Sequence, residues 1–149
     1  MTSDRNGEAP YRGAVALIVH DYDRARDWYR QALGWRVERD DVLERSATGQ
    51  TAKRWLLMVP AVDTASGPPL LLARAVNAEQ RAVTGRQGGG RVWLFFQTEH
   101  FERDHRRLLA AGAVLEAPPR SEPYGTVVVF QDLYGNRCDL IEPRRLEQG

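Results

Sequence analysis

Asp139 sits in a β-rich run near the C-terminal end of this 149-residue chain, in alternation with Arg137 and Ile141, while Cys138 and Leu140 take the opposite parity. A carboxylate on the inward face of a strand can ligate a metal, act as a general base, or anchor a polar group of a ligand. Otherwise it is held in an internal ion pair, and Arg137, Arg74 and Arg54 are the candidate partners. The same period-two alternation puts Trp93, Phe95 and Gln97 on one face of an earlier strand, and Ala14, Ala16 and Ile18 on one face of the first. Large aromatic side chains opposite small ones leave room for a flat or apolar small molecule. The polar groups placed to orient it are Gln97, Arg74, Arg137, Asp139 and Tyr124, the last in the Pro- and Gly-shaped loop Glu122-Pro123-Tyr124-Gly125. Asp139 is the one candidate for a catalytic role, as a base.

Several other chemistries find little support. His20, His100 and His105 are the only histidines; the first two fall at a strand end or helix start, and His105 on the inner stripe of a helix. They are not at ligand spacing from one another. Cys138 is the only cysteine, so an internal disulfide and a multi-cysteine metal site are both excluded, and its parity points it toward a helix layer as a small apolar group. Gly88-Gly89-Gly90 precedes a strand and lacks the Lys-Ser/Thr continuation of a phosphate loop. The net charge of +1, from 21 basic and 20 acidic residues, gives no electrostatic reason to expect nucleic acid or an anionic membrane as partner. No run is apolar for long enough to span a bilayer, and the polar N-terminus has no signal-like core, so the expected location is cytoplasmic.

The elements that position these residues repeat. Residues 14–19 read as a buried strand, followed by a helix in which Ala25, Trp28, Tyr29, Ala32 and Leu33 recur at helical spacing until Gly34. Residues 35–39, 53–59 and 69–75 read as three further strands. The order then recurs. Residues 91–97 form a strand, a helix carries Phe101, His105, Leu108 and Leu109 and ends at Ala111-Gly112, and residues 113–117, 126–131 and 137–142 form three strands. Between the last two, Tyr134-Gly135-Asn136 supplies a hairpin turn. The expected organisation is therefore a flexible lead-in over residues 1–11, a first βαβββ module over 12–75, a linker over 76–90 with a helical turn or two from Ala78, a second module over 91–143, and a tail over 144–149.

The stretches "ALIVHDYDRARDWYRQALGW" and "GRVWLFFQTEHFERDHRRLLAAGAVLEAPP", with "EPYGTVVVFQDLYGNRCDLIEP", resemble the vicinal oxygen chelate superfamily, the glyoxalase I, bleomycin-resistance and extradiol dioxygenase group. The resemblance implies an α+β fold: two βαβββ modules form a cupped, partly open mixed sheet with the helices outside, usually completed in a homodimer. In the metal-dependent members a divalent ion in the cup is held by a His or Gln on the first strand and a Glu on the fourth strand of each module. Carried onto this sequence, those positions fall on Ala14, on 70–72, on Trp93 and on Asp139. Only Asp139 keeps a ligating side chain, and one ligand does not hold such an ion. The expectation is thus a binding protein with no metal and no other cofactor, taking an apolar or aromatic small molecule in the cup. The alternative is a lyase, isomerase or dioxygenase-like enzyme of the same group, with Asp139 as base or residual metal ligand.

Overall fold

The first apolar run forms β1 (Val15–Val19), with Leu17 and Val19 buried. Asp21 caps the helix that follows, α1 (Tyr22–Leu33), by accepting a hydrogen bond from the Arg24 N–H at 2.9 Å. Gly34 ends it with φ of 68°, in the left-handed region that glycine enters freely. Tyr22, Ala25, Tyr29 and Ala32, three and four residues apart, are its buried stripe. β2 (Arg36–Arg45), β3 (Thr51–Val59) and β4 (Leu70–Arg74) complete a sheet of order β1-β4-β3-β2, in which β1 and β4 run parallel and the other pairs antiparallel. The structure, a computed structural model, describes residues 12–49, 51–61 and 67–145. The lead-in expected over residues 1–11 and the tail from residue 146 lie outside the described residues.

A short helix, α2 (Ala78–Val83), occupies the linker. The second unit repeats the first: β5 (Val92–Gln97), α3 (Phe101–Ala110), β6 (Val114–Leu115), β7 (Arg120–Glu122), β8 (Gly125–Gln131) and β9 (Arg137–Pro143). Its order is β5-β9-β8-β6, with β7 pairing β8, and β5 lies parallel to β9 as β1 lies parallel to β4. The fold is α+β, and its two mixed sheets are not closed into a barrel. No helix among the described residues is long and apolar enough to cross a membrane.

Two elements differ from the sequence expectation. β2 runs on to Arg45 because it pairs with β3 along its length, through register shifts after Val37, Val42 and Glu44. Its polar run Glu38-Arg39-Asp40-Asp41 hides any apolar alternation. β7 was not expected at all. Its three polar residues return against β8 through the Pro123-Tyr124 turn, Arg120 opposite Val127 and Glu122 opposite Gly125.

The helices cover one side of the sheets. Tyr22, Ala25 and Tyr29 of α1 pack with Leu17, Val19, Leu56, Met58, Leu70 and Leu72. Phe101 and Leu108 of α3 pack with Val128, Phe130, Cys138 and Leu140, together with Ala32 of α1. Trp28, Leu33, Leu94 and Phe96 touch both groups, so the core is continuous between the units.

A polar joint fastens the units as well. The Asp132 carboxylate, buried in the β8–β9 turn, accepts hydrogen bonds from the Tyr134 N–H (3.0 Å), the Asn136 N–H (2.9 Å), the Asn136 side-chain amide (2.9 Å) and the Tyr29 hydroxyl of α1 (2.9 Å). Asn136 Oδ1 accepts from the Gln87 N–H at 3.3 Å. The Gln87 side chain then reads the edge of β1 as a strand would, accepting from the Ile18 N–H at 2.7 Å and donating to the Ala16 carbonyl at 3.2 Å. Tyr134, a residue whose simplest reading was a turn, also accepts from the Asp21 N–H at 3.0 Å and lies edge-on to His20 at 5.1 Å.

Candidate functional site

Strand register assigns the side chains opposite the helices. Leu57 pairs with Leu71, Leu71 with Ala16, and Ala73 with Ile18, all on the parity opposite to the core residues Leu56, Leu72 and Leu17. The face of the first sheet away from the helices is therefore apolar, with Leu57 buried in it and Ala16 exposed. On the second sheet Phe95 pairs with Asp139 and Asp139 with Val129, while Gln131 pairs with Arg137 and Arg120 with Val127. That open face joins aromatic, aliphatic and charged groups. Phe95 is 64% exposed and Gln97 is exposed beside it, although Leu94 and Phe96 on the same strand are packed in the core.

The arginines proposed as partners of Asp139 are engaged elsewhere. Arg137 forms a two-pronged pair with Glu116 at 2.7 and 2.8 Å and donates to the Gly90 carbonyl at 3.0 Å. Arg54 joins Asp40 and Asp23, tying the β2–β3 hairpin to the start of α1. Arg74 takes the parity of Leu70 and Leu72, and its guanidinium lies 5.9 Å from the Tyr22 ring centre. An internal pair for Asp139 with any of the three is thus contradicted, and Arg74 belongs to the helix side instead of the ligand face. What remains is a carboxylate whose Oδ1 is shut off from solvent with no hydrogen-bond partner.

Burial raises the proton affinity of Asp139, and the guanidiniums of Arg120 and Arg137 pull it the other way. A carboxyl whose pKa rises on folding destabilises the native state when ionised. The cost is present above the folded pKa and gone once both states are protonated. Asp139→Asn is therefore expected to raise the melting temperature slightly at neutral and mildly alkaline pH, the gain fading as the pH falls through the carboxylate range. Thermal melts over a pH series check this; a loss of stability at neutral pH would mean that the carboxylate makes a stabilising contact.

Trp93 stands at the register shift between Val92 and Leu94 and packs against the core of the first unit, with its indole Nε1 buried and unpartnered. Tyr124 is half exposed at the β7–β8 turn, close to the Arg120 side chain. The structure thus gathers Phe95, Asp139, Arg137 and Gln97 on adjacent strands, with Tyr124 toward the rim. The sequence reading missed Glu116 and Arg120, which set the charge around Asp139. Glu116 falls in the strand expected over residues 113–117, but its pairing with Arg137 is set by the sheet. Arg120 follows Pro118-Pro119, where the alternation is lost; the two-residue spacing of Arg120 and Glu122 was the available signal.

The implied metal positions do not fit a divalent ion. Ala14, Leu70, Leu71, Leu72 and Trp93 offer no ligating side chain, and no three His, Cys, Asp or Glu side chains converge among the described residues. His105 stacks on Phe101 at 5.7 Å on α3, away from the open face. A depression of about 850 Å³ lies beside it, lined by His100, Phe101, Pro119, Thr126 and Glu142, and does not include Phe95 or Asp139. Cys138 is buried against the helix layer, and burial pushes its thiol far above the ordinary range, which leaves it unreactive.

A protein of Shewanella frigidimarina described as uncharacterized is 42% identical over 128 residues, covering 86% of this chain and 90% of its own. Among solved structures, UcmS2 superposes with a TM-score of 0.70 at 22% identity, covering 91% of this chain and 99% of its own. TnmS3, an antibiotic binding protein from Streptomyces sp. CB03234, superposes with a TM-score of 0.57 at 20% identity, covering 92% and 100%. The family model for the Glyoxalase/Bleomycin resistance protein/Dioxygenase superfamily matches residues 12–140, which takes in β1 through the Asp139 strand, and the chain belongs to that superfamily.

Proposed function

We propose that this protein binds an apolar or aromatic small molecule on the open faces of its sheets, without a metal ion or other cofactor. The observation that carries this reading is Phe95, an aromatic ring 64% exposed on the edge strand β5, whose neighbours Leu94 and Phe96 are packed in the core. An exposed aromatic on a rigid strand is a stacking platform. The description of TnmS3 as an antibiotic binding protein supports the same use of this fold.

One chain alone leaves both faces open. Two copies, arranged so that the apolar wall of Ala16, Ile18, Leu71 and Ala73 in one faces Phe95 and Asp139 in the other, enclose the ligand in a homodimer. The enzymatic alternative draws on the raised proton affinity of Asp139, which suits a general base. The absence of a hydrogen-bond partner for Oδ1 among the described residues favours binding over catalysis.

Calorimetric titration with methoxynaphthalene tests the reading. Phe95→Ala is expected to weaken binding by about tenfold, the size of a lost ring stack together with its buried area, whereas Phe95→Trp retains it. Binding indifferent to Phe95, or none at all, would remove the basis of the reading.

A further inference from the structure

Building on that reading of the open faces, we infer that the ligand carries a hydrogen-bond donor, an O–H or N–H, on its aromatic body, and that Asp139 selects for it. An ionised carboxylate is an acceptor only, and one left unmatched in a site sheltered from water is costly. Asp139 is partly exposed, but its Oδ1 has no hydrogen-bond partner among the described residues. The available guanidiniums are spoken for: Arg137 is held by Glu116 and Gly90, and Arg120 by Glu122 at 2.8 Å. The backbone of Asp139 is in the ladder with β5 and β8. No small rearrangement of one arginine satisfies the oxygen without stripping a carboxylate elsewhere.

Register places this acceptor directly beside the exposed ring, since Phe95 and Asp139 are paired residues of adjacent strands, and Val129 flanks Asp139 on its other side. A planar molecule stacked on Phe95 presents its edge to the carboxylate. A donor on that edge meets the partly exposed carboxylate; an ether or ketone oxygen there offers it no hydrogen bond, and a ligand carboxylate is repelled. A cationic donor would also pair with the carboxylate, because Arg120 and Arg137 are themselves offset by Glu122 and Glu116. Among neutral ligands the chemistry recognised is thus phenol-like or indole-like. A site built to hydrogen-bond a donor rejects the analogue that lacks it far more strongly than a site that merely fits its shape.

The test is calorimetric titration of the full chain with naphthol, with its methyl ether methoxynaphthalene, and with naphthoic acid. Naphthol is expected to bind about tenfold or more tighter than the ether, and naphthoate the weakest, given the usual strength of a hydrogen bond to a charged group. Asp139→Leu removes the preference while the ether still binds. Should that variant fail to fold, Asp139→Asn keeps an acceptor without the charge and shrinks the preference instead of abolishing it. If naphthol and ether bind wild-type protein equally and both are lost in Phe95→Ala, the inference fails and the binding reading stands. That is also the outcome expected if a second copy of the chain, and not the ligand, supplies the donor to Asp139. If none of the probes binds, or binding ignores Phe95→Ala, the binding reading fails and takes the inference with it.

Discussion

Asp132→Ala is expected to lower the melting temperature by roughly 10 °C, the largest effect of any single polar substitution in the chain. Four donors converge on that carboxylate: the Tyr134 and Asn136 N–H groups, the Asn136 amide and the Tyr29 hydroxyl. Truncation leaves all four without their acceptor. The cost of a buried donor left without an acceptor is about 1–3 kcal/mol, and some of the four will find water at the turn, so a net loss of about 3–4 kcal/mol is expected. The Tyr29 hydroxyl has no such escape. It is fully buried, and burial together with the charge of Asp132 keeps its proton affinity well above the ordinary phenol range, so it stays a donor at every accessible pH.

The comparison that gives this meaning is Tyr29→Phe, which removes one donor but strands no buried group, because three other donors still satisfy the carboxylate. Its cost is expected to be about 1 kcal/mol. Thermal and urea unfolding of Asp132→Ala, Tyr29→Phe and the double variant measure the coupling. Equal effects of the two single variants would show that the carboxylate is hydrated and that the turn does not join the units. A large effect of Asp132→Ala matters for the ligand surface too, since the turn fixes the second sheet against the first helix.

The repeat was legible because each helix buries one stripe and each ends where a glycine or an alanine-glycine pair stops it, at Gly34 and Gly112. The inward parity of Asp139, Phe95 and Gln97 was equally plain, since strand alternation is a local property of the chain. What Asp139 touches is not local. Its candidate partners were arginines chosen by charge, and the residues that in fact occupy them, Glu116 for Arg137 and the pair Asp23 and Asp40 for Arg54, are brought there only by the sheet. Arg74 could have been placed correctly from sequence, because it shares the parity of Leu70 and Leu72 and must face the helix with them. The role of Tyr134-Gly135-Asn136 was hidden for the opposite reason. A turn motif satisfies its own local geometry, and nothing in the sequence indicates that a linker residue such as Gln87 will dock on it.

Gly85→Val is expected to be as damaging as the loss of Asp132, for a different reason. Gly85 has φ of 80°, where a β-branched side chain is strained by itself. A Cβ at that position would collide with the carbonyl of Tyr134, with the carbonyl carbon only 2.7 Å away. The obstacle is backbone held by the Asp132 network, so no rotamer change relieves it. The linker must lift off the turn, which breaks the Gln87 N–H bond to Asn136 and pulls the Gln87 side chain from the edge of β1. Strain of about 1–3 kcal/mol together with these lost contacts puts the expected destabilisation at about 3–5 kcal/mol. Gly89, with φ of 65° and open space around it, is the internal control: Gly89→Val carries the backbone strain without the collision, so the difference between the two isolates the joint. Circular dichroism melts of both variants check it, and if Gly89→Val proves as harmful as Gly85→Val, the close approach of linker and turn contributes nothing and the two units are held by their shared apolar core alone.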